Sequence, residues 1–90
     1  MLLPAPIIEN STIVNGLSGI SMSGVPNASI NFYQIINGNK VLDMISSFWN
    51  FDQDGKSKIG YTNFVSGSSW CVTQVVKGVE SPYSNTITFP

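Results

Sequence analysis

The sequence predicts an all-β sandwich of about seven short strands. Three observations lead there. Apolar residues fall in short runs that alternate with polar ones, the runs are separated by turn dipeptides such as Asn15-Gly16, Asn37-Gly38, Asp54-Gly55 and Lys77-Gly78, and no segment keeps helical spacing over three turns.

Taken in order, Ile7 to Glu9 and Thr12 to Val14 read as two short edge strands before the turn at Asn15-Gly16. Ile20-Ser21-Met22-Ser23 alternates, with Ile20 and Met22 inward, and Gly24-Val25-Pro26-Asn27 supplies the proline and asparagine of a tight turn. Ser29 to Ile36 reads as a central strand with Ile30 and Phe32 on one face and Tyr33 and Ile35 on the other. Asn37-Gly38 is the strongest hairpin signal, and Lys40 to Met44 is the returning strand.

In Phe48 to Phe51 the alternation sets Trp49 and Phe51 opposite Phe48. Asp52-Gln53-Asp54-Gly55 is a turn, since Asp-Gly supplies the positive φ of a reversal, and alternation resumes at Ile59 and Tyr61. Beyond Ser66-Gly67, the strand Ser69 to Val76 puts Trp70 and Val72 on one face and Cys71 on the other. Thr86 to Phe89 closes the fold with Ile87 and Phe89 inward.

With 90 residues the chain has room for one domain, read here as residues 7–90 behind a proline-stiffened linker of residues 1–6. Hydrophobic residues at 42% and aromatics at 11% are enough for a folded core. Only 10% of residues are charged, four basic against five acidic, which leaves no basic footprint for nucleic acid and no polybasic patch for an anionic membrane. The polar surface therefore comes from Ser, Asn, Thr and Gly, a style that points to an extracellular or cell-surface setting. A single cysteine allows no internal disulfide. No apolar run is long enough for a membrane span, and Met1-Leu2-Leu3 is too short for a signal peptide.

Three passages carry a resemblance. Gly24-Val25-Pro26-Asn27-Ala28-Ser29-Ile30-Asn31-Phe32-Tyr33, the acidic-glycine turn Phe51-Asp52-Gln53-Asp54-Gly55, and the stretch from Gly67-Ser68-Ser69-Trp70 through Gly78-Val79-Glu80-Ser81-Pro82-Tyr83-Ser84-Asn85 resemble the bacterial immunoglobulin-like and fibronectin-type-III-like modules of adhesins, biofilm proteins and secreted multidomain enzymes. The chain departs from such modules in two ways. Lys56, Ser57 and Lys58 stand where they often carry a tryptophan, and they commonly lack cysteine. The resemblance implies an immunoglobulin-like sandwich serving as a spacer or adhesive module, and it supplies no ligand.

Catalytic signals are sparse. Without histidine there is no Ser-His arrangement, no Cys-His pair for Cys71 and no histidine metal site. Asp52 and Asp54 share one tight turn, so they cannot face each other across a cleft as paired-carboxylate hydrolysis requires. Their Asp-x-Asp-Gly opening is that of a calcium loop, yet Lys56 occupies the third ligand position and no glutamate closes the loop, so turn chemistry is the better account. Asn10-Ser11-Thr12 and Asn27-Ala28-Ser29 match the glycosylation acceptor pattern, a match that arises easily in a chain this rich in Asn, Ser and Thr.

Exposed rings are the remaining binding feature, and Phe48 and Tyr33 are the candidate ligand contacts. The expectation is a non-catalytic structural module of a larger bacterial surface or secreted protein that needs no cofactor or metal. Its partners are neighbouring domains of the same chain. The alternatives are an adhesion module for carbohydrate or a host protein, and a phage tail or capsid domain.

Overall fold

Turn chemistry sets the reversals of the chain. In the computed structural model, which describes residues 3–90, three two-residue turns hold both central residues at positive φ: Asn15 and Gly16 at 51° and 81°, Asn37 and Gly38 at 52° and 79°, Lys77 and Gly78 at 51° and 78°. That backbone twist matches the twist of paired strands, so each turn makes a tight hairpin. They join β1 (Ile7–Val14) to β2 (Leu17–Ser23), β3 (Ser29–Ile36) to β4 (Asn39–Leu42), and β7 (Ser69–Val76) to β8 (Val79–Glu80). The remaining strands are β5 (Trp49–Asn50), β6 (Lys56–Gly60) and β9 (Ile87–Thr88).

These elements form two antiparallel sheets. One has the order β1-β2-β6 and the other β4-β3-β7-β8, with β5 also on β3 and β9 also on β7. The chain crosses between sheets after β2, after β5 and again after β6. The expected all-β sandwich is thus the fold. Among the described residues there are nine strands where about seven were expected, and three of them, β5, β8 and β9, are only two residues long.

The core lies between the sheets. Ile8, Ile20, Met22 and Ile59 face it from the first, and Ile30, Phe32, Trp70 and Val72 from the second, all buried. β3 and β7 carry the interior of the second sheet, with Phe32 opposite Val72 and Gln34 opposite Trp70. Phe64 enters from the loop between β6 and β7, lying 5.0 Å from the Phe89 ring in a stack and 4.9 Å from Trp70 edge-on. Such ring pairs add a little to the burial of the rings themselves.

Several local expectations are corrected. The two short edge strands at the start are one strand, β1, whose register shifts between Ile8 and Asn10. This bulge absorbs a residue, so Ile8 can stay inward while both halves of the strand pair with β2. The strand returning from Asn37-Gly38 stops at Leu42, and Met44 is exposed. Asp43 ends it: its carboxylate accepts from the Ile45 amide and from the Tyr61 hydroxyl, folding the chain into a turn. The closing strand is confined to Ile87–Thr88, although Phe89 still packs inward.

The first described residues lie on the sandwich. Pro6 is buried, and the Pro4 carbonyl accepts a 2.7 Å hydrogen bond from Gln74 Nε2. Of the segment read as a linker, residues 1 and 2 lie outside the described residues. Gln74 Oε1 also accepts from the Val25 amide, which places Pro4 at the end bearing the Gly24–Asn27 turn. Pro90 instead borders an open groove of about 200 Å³ with Ser11, Thr12, Ile13, Ser18 and Phe89, beside the Asn15-Gly16 turn. Pro4 and Pro90 therefore lie toward opposite ends of a body measuring 36 × 29 × 20 Å.

Candidate functional site

Alternation along β3 turns Tyr33 away from the core, onto the outer face of the second sheet. There Glu80, at the end of the β7–β8 hairpin, directs Oε2 at three donors, the Tyr33 hydroxyl, Thr73 Oγ1 at 2.6 Å and Asn31 Nδ2 at 3.2 Å. Asn31 lies opposite Thr73, and Tyr33 opposite Cys71 two residues along, so the same face of the ladder brings Asn31, Thr73 and Tyr33 to one carboxylate. These bonds hold the Glu80 carboxyl below its ordinary range, with Thr73 the largest contributor. Desolvation, reinforced by Glu80, pushes the Tyr33 phenol up to about 12.

The Tyr33 ring meets Tyr83 edge-on at 5.1 Å, and Lys40 Nζ stands 5.0 Å from the centre of the Tyr83 ring. Cys71 shares this face in register with Tyr33, yet it is completely buried, and desolvation raises its thiol above the usual value. A thiol so placed is a poor nucleophile and packs as a small apolar side chain.

Phe48 belongs to a different region. β4 and β5 lie end to end along one edge of β3, with Leu42 opposite Tyr33 and Trp49 opposite Ile30. Between them residues 43–48 turn, with Ile45 against the core, pinned by Ser47 N to the Ile30 carbonyl and by the Phe32 amide to Ser46 Oγ. Ser47 adopts φ 72°, and the Phe48 side chain that follows is 77% exposed. Met44, Leu42 and Trp49 are exposed along the same edge, while Phe51, just beyond, turns into the core. The structure thus gives Tyr33 and Phe48 different surroundings: Tyr33 is engaged in a closed polar network, and Phe48 stands free in a row of apolar side chains.

The Asp52 carboxylate is used within its own turn. Its Oδ1 accepts from the amides of Asp54 and Lys56 at 2.9 and 2.8 Å, and the Gly55 amide bonds to the Asp52 carbonyl. Gly55 has φ 74°, and a side chain there would press on the Gly24 carbonyl, so this glycine is required twice. Asn10 and Asn27 are both exposed.

Sequence reasoning missed a set of polar side chains that take over backbone hydrogen bonds. Where β8 ends and β9 has not begun, Ser81 Oγ accepts from the Gln74 amide and Ser84 Oγ from the Val72 amide. Asn85 pairs with a single residue of β1, accepting from Ile8 N and donating to Ile8 O, both at 2.9 Å. Gln74 is wholly buried and bridges the Val25 amide to Pro4. The one available signal was Gln74 itself, which alternation along Ser69 to Val76 sets on the same face as Trp70 and Val72.

No family model matches the chain, and no curated protein does either. A solved structure gives the comparison. The chain is similar in fold to one described as "Biofilm associated protein - BSP domain". The superposition has a TM-score of 0.63 at 23% identity and covers 97% of this chain. It takes in 14% of the other, so the chain spans a small part of the length of the protein it resembles.

Proposed function

We propose that this chain is a non-catalytic, immunoglobulin-like spacer module of a larger bacterial surface or secreted protein, working outside the cell among neighbouring domains of the same chain. The observation that carries this reading is the position of the two ends. Pro4 is tied down beside the Gly24–Asn27 turn and Pro90 lies beside the Asn15-Gly16 turn, so each such module adds its length to a series. Strand order supports the immunoglobulin-like assignment, since three strands face four main ones with the chain passing repeatedly between sheets. The fold likeness to a domain of a biofilm associated protein, covering a small share of that chain, supports a module within something longer. Missing histidine and a buried, protonated Cys71 support the non-catalytic part.

A second reading, adhesion to glycan or a host protein, is favoured by one observation, the exposed row Leu42, Met44, Phe48 and Trp49. A glycan array and a cell-binding assay on wild type beside Phe48→Ala, with melting curves for both, separate the two. The spacer reading expects no specific binding by either protein. Reproducible binding by wild type that disappears in a folded Phe48→Ala overturns it in favour of adhesion.

A further inference from the structure

The first strand and the last residues of the chain run side by side in the same direction. Asn85 is bonded to Ile8, while five residues later Pro90 borders Ser11, Thr12 and Ile13. They belong to different sheets, since β1 pairs with β2 and the closing segment pairs with β7. The seam between them joins the sandwich along one side. Among the described residues, the hydrogen bonds that cross it directly are the two made by the Asn85 carboxamide.

Tension between the ends loads this seam in a particular way. The leading end of β1 is drawn backward past Ile8, and the closing segment is drawn forward past Pro90. Two parallel segments pulled in opposite directions slide, so bonds across the seam are loaded along the strand axis and together, whereas a hairpin pulled open at its tip loses bonds one at a time. The carboxamide of Asn85 has the shape of a peptide group and meets both the N–H and the C=O of Ile8, so either half of the pair resists that sliding. The tie sits near the leading end of β1, where slippage must begin, with Gln74 holding Pro4 just ahead of it.

We propose that the Asn85 carboxamide is a mechanical clamp, which closes the seam between β1 and the C-terminal segment and sets how the domain yields when pulled by its ends. Its biological use rests on the spacer reading, but the clamp itself is a property of the molecule and is measured without reference to partners.

The experiment is single-molecule unfolding at constant force on the whole chain, in two geometries. Handles at the two termini load the seam. Handles at Asn39→Cys and Gln53→Cys load only the intervening segment, because both positions are exposed and the seam lies outside the path between them; the buried Cys71 stays unlabelled in the folded protein. With terminal handles, Asn85→Ala unfolds faster than wild type by on the order of tenfold, for the loss of two partly exposed hydrogen bonds. With the internal handles its rate matches wild type. Asn85→Asp retains an acceptor for Ile8 N, loses the donor, and gives an intermediate rate. It also serves if Asn85→Ala does not fold. Ile59→Val, a core change remote from the seam, is the control for general destabilisation.

An unchanged rate with terminal handles overturns the clamp, and so does equal acceleration in both geometries. Adhesion through Phe48 would overturn the spacer reading and leave the clamp standing, so the two failures are distinguishable.

Discussion

Replacing Gln74 by leucine tests whether the interior of this sandwich is held by polar ties as well as by apolar packing. The side chain has no exposed surface, and its two polar atoms serve partners on separate segments, the Val25 amide and the Pro4 carbonyl, each at 2.7 Å. Leucine has a similar volume, so no large cavity opens and the loss is mainly that of the two hydrogen bonds. The carbonyl of Pro4, an exposed residue, is recovered by water at little cost. The Val25 amide is half-buried and points at the position of the lost oxygen, and an unpaired donor there costs about 1–3 kcal/mol. Release of the opening residues, which include the buried Pro6, adds to this, while the apolar surface of leucine offsets part of it.

The expected net loss is about 2 kcal/mol, a sizeable share of the roughly 5–15 kcal/mol available to a small domain. It corresponds to a fall of about 8–16 °C in Tm. Urea denaturation followed by Trp fluorescence measures it, with an unchanged slope showing that the unfolded state is not the cause. Faster hydrogen exchange at the Val25 amide would locate the loss. A Gln74→Leu protein as stable as wild type would refute the reasoning, because an apolar side chain would then fill the site as well as the amide does.

Four further outcomes follow from the same geometry. Trp70→Ala removes a ring packed against Phe64 and Tyr61, and should cost about 3–5 kcal/mol in denaturant melts, leaving the domain largely unfolded. Phe48→Ala, at an exposed site, should cost less than about 1 kcal/mol in the same melts. Glu80 is held below its ordinary value of 4.5, so its stabilising contribution is present above that value and lost as pH falls through the lowered one; Glu80→Gln should flatten the acid limb of stability against pH. A thiol reagent such as DTNB should leave Cys71 unmodified in the native protein and react fully once it is unfolded.

The fold was legible because its signals are local. Hairpins at Asn15-Gly16, Asn37-Gly38 and Lys77-Gly78 depend on backbone conformation over two residues, and the inward positions Ile20, Met22, Ile30, Phe32, Trp70 and Val72 repeat with the pleat. What escaped depends on contacts between distant parts of the chain. Phe64 lies in a loop, outside any alternation, and is buried only because the space between Phe89 and Trp70 must be filled. The pairing of Asn85 with Ile8 spans 77 residues, and nothing near either marks it. Of the candidate contacts, Phe48 is exposed as alternation opposite Phe51 suggested, yet Trp49, which the same alternation set beside the buried Phe51, is exposed too, because the chain turns through Ser47 before a strand of only two residues. The engagement of Tyr33 with Glu80 needed the β7–β8 hairpin to be placed beside β3.

The sheet edges bear on which functional reading holds. A chain with so little charge cannot cover every edge with lysines, and an exposed edge invites pairing with another strand. β6 carries Lys56 and Lys58, both exposed, and β1 is bulged and carries Glu9 in an ion pair with Lys56. On the far side of the second sheet, β8 and β9 are two residues each, with Pro82 in the break between them. Three edges are therefore blunted against pairing with another strand. The fourth, β4 continuing into β5, has Lys40 but goes on through Leu42, Met44, Phe48 and Trp49, all exposed. Under the adhesion reading, that edge is the candidate binding surface. Leu42→Lys is then the complementary variant to Phe48→Ala: it adds a charge at a half-exposed edge position, should leave the melting curve nearly unchanged, and should abolish the same binding that Phe48→Ala abolishes. Binding that survives Leu42→Lys and is lost in Phe48→Ala would mean that the ring acts alone and that the edge takes no part.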